Sequence, residues 1–174
     1  MRRLNTAAWA RVLIALAFPA SARAQQGDKP FEPEIGQPGK DVVWVPTPPA
    51  LVEKMMDMAQ VTPNDFVIDR GSGDGRNINA AAKRGANALG VEFNPDMVAL
   101  SERLAKAAGV ADKARFVQGD MFTADFSKAT VAAIFLLPSN MLQLRSKFFA
   151  LAPGSRMVSN TFRFEGWHPD KSET

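Results

Sequence analysis

The sequence predicts an α/β domain with a doubly wound, mostly parallel sheet and helices on both faces. Short apolar strand patterns alternate with helix patterns from residue 66 onward. A glycine-rich loop follows the first strand directly. An acidic residue stands at the end of each of the first three strands, namely Asp69, Glu92 and Asp120. In sheets of this kind, ligands bind at the carboxyl ends of the strands.

The segments before the first strand are a linker and a helix. Residues 25–41 combine prolines and glycines with charged residues, which predicts a flexible linker. The domain is expected to run over residues 42–174. Its first helix is predicted over residues 50–60, because Leu51 and Met55 recur there at helical spacing.

Strands and helices then follow in alternation. Pro95 fixes the backbone at the start of one helix, and Pro153 and Gly154 form a turn before the last strand. The predicted strands are residues 66–68, 88–93, 114–118, 131–137 and 156–162, and the helices between them are residues 77–84, 95–108 and 140–151.

The composition is that of a globular domain and excludes several kinds of metal and catalytic site. The chain has 174 residues, of which 46% are hydrophobic and 22% are charged. It has no cysteine, which excludes a disulfide scaffold, a thiolate zinc site and a cysteine nucleophile. Its single histidine, His168, argues against a multi-histidine metal site. No metal site is therefore expected.

Residues 1–24 have the pattern of a secretory signal peptide. Arg2 and Arg3 open a positive segment, residues 12–18 are apolar, and the segment ending at Ala24 offers a small-residue cleavage site. The apolar run is shorter than the roughly 20 residues that span a bilayer. We expect a periplasmic or secreted protein without a transmembrane anchor if the leader is cleaved, and a cytoplasmic protein otherwise.

The positive charge of the chain belongs to this leader. The net charge is +3, but residues 1–24 hold four arginines and no acid. The remaining residues contain 17 basic and 18 acidic side chains, so their net charge is −1. A surface suited to nucleic-acid phosphates is therefore not expected.

The glycine-rich loop favours a ligand with an anionic or polar group. Its glycines let the backbone turn sharply and approach a ligand, and its amides can donate hydrogen bonds. No Gly-Lys-Ser/Thr follows, which excludes a P-loop, and Arg76 stands where the dinucleotide fingerprint requires glycine. The residues of this segment predicted to contact the ligand are Asp69, Gly71, Ser72, Gly73, Asp74 and Gly75.

Two further acids extend the loop into a predicted adenosine site. Glu92 closes the second strand, where a carboxylate can accept hydrogen bonds from ribose hydroxyls. Asp120 follows the third strand and can accept from an adenine amino group, while Met121 packs on the ring. Phe93, next to Glu92, is grouped with these contact residues.

These motifs resemble those of the class I S-adenosylmethionine-dependent methyltransferases, which have a Rossmann-like fold. The resemblance covers roughly residues 42–167, through the glycine motif, Glu92 and the Asp120-Met121 pair. Residues 45–48, 71–76 and 135–138 resemble a narrower branch. That branch contains small protein-lysine methyltransferases related to those acting on ATP synthase c-subunit and adenine nucleotide translocase.

The resemblance implies S-adenosylmethionine as cofactor and a methyl acceptor that the sequence does not identify, a protein lysine being one candidate. The loop would cradle the methionine part of the cofactor, and Asp69 would help to hold its ammonium group. On the substrate side, the walls would be Thr47, Leu137, Pro138 and Ser139. No residue is assigned as a catalytic base.

Several residues depart from the family pattern. Arg70 stands where the strand end is usually apolar, and a buried guanidinium needs a partner such as Asp69, Asp74 or Glu92. Asn77 and Asn79 likewise replace apolar residues. The last two strands of the family's sheet are missing from the predicted elements, which would leave a sheet edge for association.

Two alternatives remain open at this point. One is a degenerate methyltransferase-like domain that binds a ligand or partner without activity, which Arg70 and the predicted export would favour. The other is a nicotinamide-dependent oxidoreductase on a related sheet, against which the missing fingerprint glycine counts.

Overall fold

The computed structural model describes residues 29–173, and a compact unit begins at Phe31. The predicted signal peptide lies outside the described residues. Among the residues described, no helix is long and apolar enough to cross a bilayer.

A single sheet of five parallel strands organises this unit, in the order β3-β2-β1-β4-β5. The doubly wound α/β prediction is confirmed. The strands are β1 (Phe66–Arg70), β2 (Asn87–Glu92), β3 (Ala114–Gln118), β4 (Val131–Ile134) and β5 (Arg156–Ser159), and the helices are α1 (Pro49–Met58), α2 (Arg76–Lys83), α3 (Pro95–Ala107) and α4 (Pro138–Phe149).

Helices cover both faces of the sheet because alternate side chains of the central strand point in opposite directions. Val67 of β1 lies in a core with Met55 of α1 and Ile78 of α2. Its neighbour Ile68 lies in a second core with Leu144 and Phe148 of α4. The strand order reverses between β1 and β4, which places the predicted ligand site at this switch point.

Two predicted strands are shorter in the structure than the sequence indicated. The fourth ends at Ile134 instead of residue 137, because Pro138 begins α4 and the backbone must turn before it. The fifth ends at Ser159, because Thr161 adopts a left-handed φ of 65° that breaks the extended chain. Within residues 160–173 no further strand pairs with β5, as expected for a sheet without the last two strands.

Part of the predicted linker contacts the domain. Arg103 of α3 donates a hydrogen bond of 3.0 Å to the carbonyl oxygen of Phe31, and Lys40 pairs with Asp120. The structure therefore places residues 31–41 on the domain surface. Polar contacts between distant segments hold them there, and the composition of the segment gives no sign of such contacts.

Asp65 holds the amino ends of three strands together. It is buried just before β1 and accepts hydrogen bonds from the hydroxyl groups of Thr62 (2.9 Å) and Thr130 (2.8 Å) and from the guanidinium of Arg156. Thr130 and Arg156 stand at the starts of β4 and β5. Burial alone would raise the pKa of Asp65, but these donors outweigh it and hold the pKa below its usual value.

We predict that Asp65→Ala lowers the free energy of unfolding by about 1–3 kcal/mol, because it leaves buried donors without their acceptor. Since the folded pKa lies below the unfolded one, this stabilisation is present above about pH 4 and is lost in more acid solution. Urea unfolding at neutral pH measures the effect. Asp112→Ala, at an exposed turn residue, serves as the control and should change stability by less than about 0.5 kcal/mol. Equal effects of the two substitutions would contradict the role of Asp65.

Candidate functional site

A pocket opens at the carboxyl ends of β1, β2 and β3. Its walls are the strap (residues 37–47), most of the glycine loop (residues 71–75), residues at the ends of β2 and β3, and Phe135 after β4. Of the predicted ligand residues, Gly75 and Asp120 do not line this pocket. The predicted residues that line it are Asp69, Gly71, Ser72, Gly73, Asp74, Glu92, Phe93 and Met121.

The glycine loop packs too closely for side chains at two of its positions. Gly73 has a φ of 56°, and a Cβ there would lie 2.7 Å from Nε1 of Trp44 in the strap. Gly75 has a φ of 78°, and a Cβ there would lie 2.5 Å from the ring of Phe116 and 2.9 Å from Cβ of Ser101. Both the backbone conformation and the contacts therefore require glycine.

Glu92 connects the end of β2 to this loop. Its Oε2 accepts a hydrogen bond of 3.0 Å from the backbone N–H of Gly73, and its Oε1 accepts one of 2.9 Å from the N–H of Asn94. The carboxylate lines the pocket, where ribose hydroxyls are expected. These two bonds fix its position and leave each oxygen a free lone pair for a ligand.

Asp69 is the most perturbed carboxyl of the pocket. It is only 4% exposed, and Nδ2 of Asn77 donates a hydrogen bond of 2.8 Å to its Oδ2. Burial is the main cause that raises the pKa of Asp69 to about 7, and the nearby carboxylates of Glu92 and Asp74 contribute to this rise against the opposing hydrogen bond from Asn77. Oδ1 of Asn77 is buried and has no partner in the described part of the chain. The pair therefore presents acceptors to a cationic group.

Arg76 fastens the strap to the glycine loop. Its guanidinium donates to both carboxylate oxygens of Asp74, at 2.9 and 2.5 Å, and to the carbonyl oxygen of Thr47 at 2.5 Å. Thr47 is buried and lines the pocket, and its hydroxyl accepts a hydrogen bond of 3.3 Å from Asn160 beyond β5. The predicted substrate-side residue Thr47 thus belongs to the wall that Arg76 holds in place.

Asp120 already has partners on both carboxylate oxygens. Its Oδ1 accepts a hydrogen bond of 2.7 Å from the N–H of Phe122, and its Oδ2 pairs with Nζ of Lys40. The ammonium of Lys40 also lies 4.8 Å from the ring centroid of Phe93. The Lys40 hydrogen bond is the main cause that holds the pKa of Asp120 below its usual value. An adenine amino group that binds Oδ2 of Asp120 would compete with this lysine.

The prediction that Arg70 pairs with a nearby acid was wrong. The side chain is 2% exposed, but it does not pair with Asp69, Asp74 or Glu92. It donates a hydrogen bond of 2.8 Å to the carbonyl oxygen of Ala124 and stacks on the ring of Phe126. Successive side chains of a strand point to opposite faces, so Arg70 faces away from the Asp69 carboxylate.

The other predicted substrate-side residues lie apart from this pocket. Pro138 and Ser139 line a second hollow beside Phe164, and Leu137 is partly exposed at the start of α4. Phe135, which precedes them, is the residue of this segment that lines the first pocket. The reason is that β4 ends at Ile134, earlier than predicted, and α4 begins at Pro138, so the chain turns away from the pocket after Phe135.

Several pocket residues were missed by the sequence reasoning. Trp44 is one of them, although the apolar run around it, closed by prolines, marks the strap. Arg76 directly follows the glycine loop, and its charge beside Asp74 was a usable signal. Other lining residues carry no specific sign in the sequence, and they include Lys40, Asp41, Asn77, Val91, Asn94, Met97, Gly119 and Phe135.

The pocket suits a cationic ligand that also carries hydroxyl groups. Asp69 and the unpartnered oxygen of Asn77 can accept from an ammonium group, and Glu92 can accept from a ribose. Phe93 and Met121 supply apolar contact for a flat ring. S-adenosylmethionine has all of these groups, so the residues present fit this cofactor.

Comparison with known proteins supports the same cofactor. The model of the ANTKMT methyltransferase domain matches residues 69–171. A protein-lysine N-methyltransferase of Saccharolobus islandicus is 40% identical over 74% of this chain and 81% of its own length. The lysine N-methyltransferase of the ATP synthase c-subunit from Rattus norvegicus is 38% identical over 73% of this chain, which spans 59% of that relative's length.

A solved structure is also similar over most of the described domain. It is an RNA methyltransferase from Salinibacter ruber in complex with S-adenosyl-L-homocysteine. It shares 45% sequence identity and a TM-score of 0.71, over 75% of this chain and 86% of its own. These comparisons do not favour the inactive binding domain or the nicotinamide oxidoreductase. The chain belongs to the ANTKMT methyltransferase domain family of S-adenosylmethionine-dependent methyltransferases.

Proposed function

We propose that this protein transfers the methyl group of S-adenosylmethionine to the side-chain amine of a protein lysine. The observation that carries the proposal is the charge of the pocket. Its titratable lining consists of four acids and two bases, namely Asp41, Asp69, Asp74, Glu92, Lys40 and Arg76. With all acids ionised the lining has two net negative charges, and with Asp69 protonated it has one. Such a pocket attracts a cationic cofactor and a cationic acceptor.

The relatives support a protein acceptor, since two of them are named for lysine methylation. The similar structure titled as an RNA methyltransferase makes RNA the competing acceptor. RNA binding depends on a positive surface that neutralises phosphates. Residues 25–174 have a net charge of −1, which favours the lysine.

The cofactor, when bound, supplies a methyl group on a positively charged sulfur that an uncharged amine can displace in line. In this reaction a C–N bond forms, the C–S bond breaks with its electron pair going to sulfur, and the methylated ammonium product releases its proton to solvent. The chain's contribution is to align the reactants and exclude water. The strap supports this role, because Arg76 holds Thr47 over the glycine loop and Trp44 lies against Gly73.

We propose the following cofactor contacts, which the site geometry supports. The glycine loop cradles the methionine part, and Asp69 with Asn77 accepts from its ammonium group. Glu92 accepts from the ribose, and Asp120, beside Met121, accepts from the adenine amino group in place of Lys40. The acceptor amine approaches past Thr47 and Phe135, which line the same pocket.

The acceptor is tested by incubating the purified full chain with S-adenosylmethionine labelled in its methyl group. Three acceptors are offered, namely a lysine-rich protein, the same protein with its lysines acetylated, and total RNA. We expect label in the unmodified protein, and its location on lysine by mass spectrometry. Acetylation should abolish the labelling because it removes the nucleophilic amine. Label in RNA instead would show that the proposal is wrong.

We predict that cofactor binding weakens in acid solution through Asp69. With a pKa of about 7, Asp69 is neutral below neutral pH and then no longer attracts the ammonium group. The affinity for S-adenosylhomocysteine, measured by calorimetry, should fall by about tenfold per pH unit below pH 7. Asp69→Asn should bind at least about 30-fold more weakly at pH 8 and lose this pH dependence. The control Asp112→Asn, outside the pocket, should retain the pH dependence. A wild-type affinity that does not change with pH would contradict the role of Asp69.

We also propose that residues 1–24 direct export of the chain, on the basis of the sequence pattern alone. Mass spectrometry of the protein recovered from the native cells should then find Gln25 at the mature N-terminus. Recovery of intact protein beginning at Met1 would exclude cleavage and favour a cytoplasmic location.

A further inference from the structure

Arg70 is the one buried cation of the site, among the described residues, that the proposed cofactor contacts do not use. It ends β1 on the face opposite Asp69 and is 2% exposed. Its Nη2 donates a hydrogen bond of 2.8 Å to the carbonyl oxygen of Ala124, and its guanidinium carbon lies 4.2 Å from the ring centroid of Phe126. Both contacts are made with the segment between β3 and β4 that begins with Asp120.

This burial is costly for a charged group. Nε and Nη1 of Arg70 have no partner among the described residues. Burial lowers the pKa of Arg70 to about 10, against the attraction of Asp120 and Asp125, so the side chain stays charged at neutral pH. An apolar side chain could pack on Phe126 without this desolvation cost. The charge therefore contributes something that packing alone would not.

We propose that Arg70 is a positioning residue for adenine recognition, which fixes residues 119–126 so that Asp120 and Met121 stay at the adenine edge of the pocket. This inference rests on the placement of adenine in the proposed function. Arg70 acts through the segment and does not touch the cofactor. Its hydrogen bond holds the backbone at Ala124, and its guanidinium lies over the ring of Phe126 and holds this side chain in place.

Two cations act on Asp120 in different ways, Lys40 by direct contact and Arg70 through the segment that follows Asp120. Lys40 reaches it from the strap with about a third of its side chain exposed, so an incoming amino group can replace it. Arg70 is enclosed by the sheet and by Phe126. Once Lys40 is displaced, the enclosed Arg70 still holds the segment that carries Asp120 in place.

The test compares two ligands that differ at the adenine amino group. S-adenosylhomocysteine carries this group, whereas S-inosylhomocysteine has a carbonyl oxygen there, which Asp120 would repel. Calorimetry on the wild-type full chain should show a preference for the adenosyl ligand of about tenfold or more. Arg70→Met, which keeps a large apolar stem against Phe126, should reduce the preference to about threefold or less. Arg70→Lys, which keeps the charge but loses the planar stacking group, should give an intermediate preference.

Arg115→Met provides the control, because it removes an exposed arginine from β3 and should leave the preference unchanged. Circular dichroism and thermal melting verify that each variant is folded. A merely structural role would weaken the binding of both ligands by the same factor. An unchanged preference in Arg70→Met and Arg70→Lys would therefore overturn this inference but not the proposed function. If the wild type itself shows no preference, the placement of adenine at Asp120 is wrong, and the inference fails with it.

Discussion

The close packing of the glycine loop against its neighbours is the constraint on which the rest of the site depends. Side chains are sterically excluded at Gly73 and Gly75, where Trp44 and Phe116 occupy the space a Cβ would need. The loop can therefore lie directly on the strap and on β3. In this position the N–H of Gly73 reaches Glu92, so one backbone conformation aligns the ends of β1 and β2. The carboxylates of the pocket converge because this turn brings their strands' ends together.

The aspartate carboxyl groups at the ends of β1 and β3 have different pKa values. Asp69 is buried and its pKa is raised, so it changes charge near neutral pH. Asp120 is more accessible, and the cations beside it keep its pKa low. This difference follows from burial and from the nearest partner, since Asp69 is enclosed beside Asn77 whereas Asp120 is partly exposed beside Lys40. The proposed cofactor site thus combines a proton-sensitive and a proton-insensitive acceptor.

The sequence predicted the fold and most of the pocket residues on the glycine loop and at the strand ends, because these depend on local patterns. Alternating strands and helices, a glycine loop and acids at strand ends can each be recognised within a few residues. Contacts between distant segments could not be predicted in this way. Neither the pairing of Lys40 with Asp120 nor the stacking of Arg70 on Phe126 leaves a local sign. The role of residues 137–139 depended on where β4 ends, and strand ends are the least certain part of a pattern.

The two aspartates at either end of β1 have pKa values displaced in opposite directions. Asp65 adds stability wherever it is ionised, that is, above about pH 4. Asp69 retains its proton up to about pH 7 in the folded chain but releases it near pH 4 in the unfolded chain, so stability declines between these values. The combined effect of these two groups makes the folded state most stable in mildly acid solution. The affinity for the cofactor, in contrast, is predicted to be highest at or above neutral pH. The conditions that best preserve the folded protein in storage are thus not those in which it is predicted to bind its cofactor most tightly.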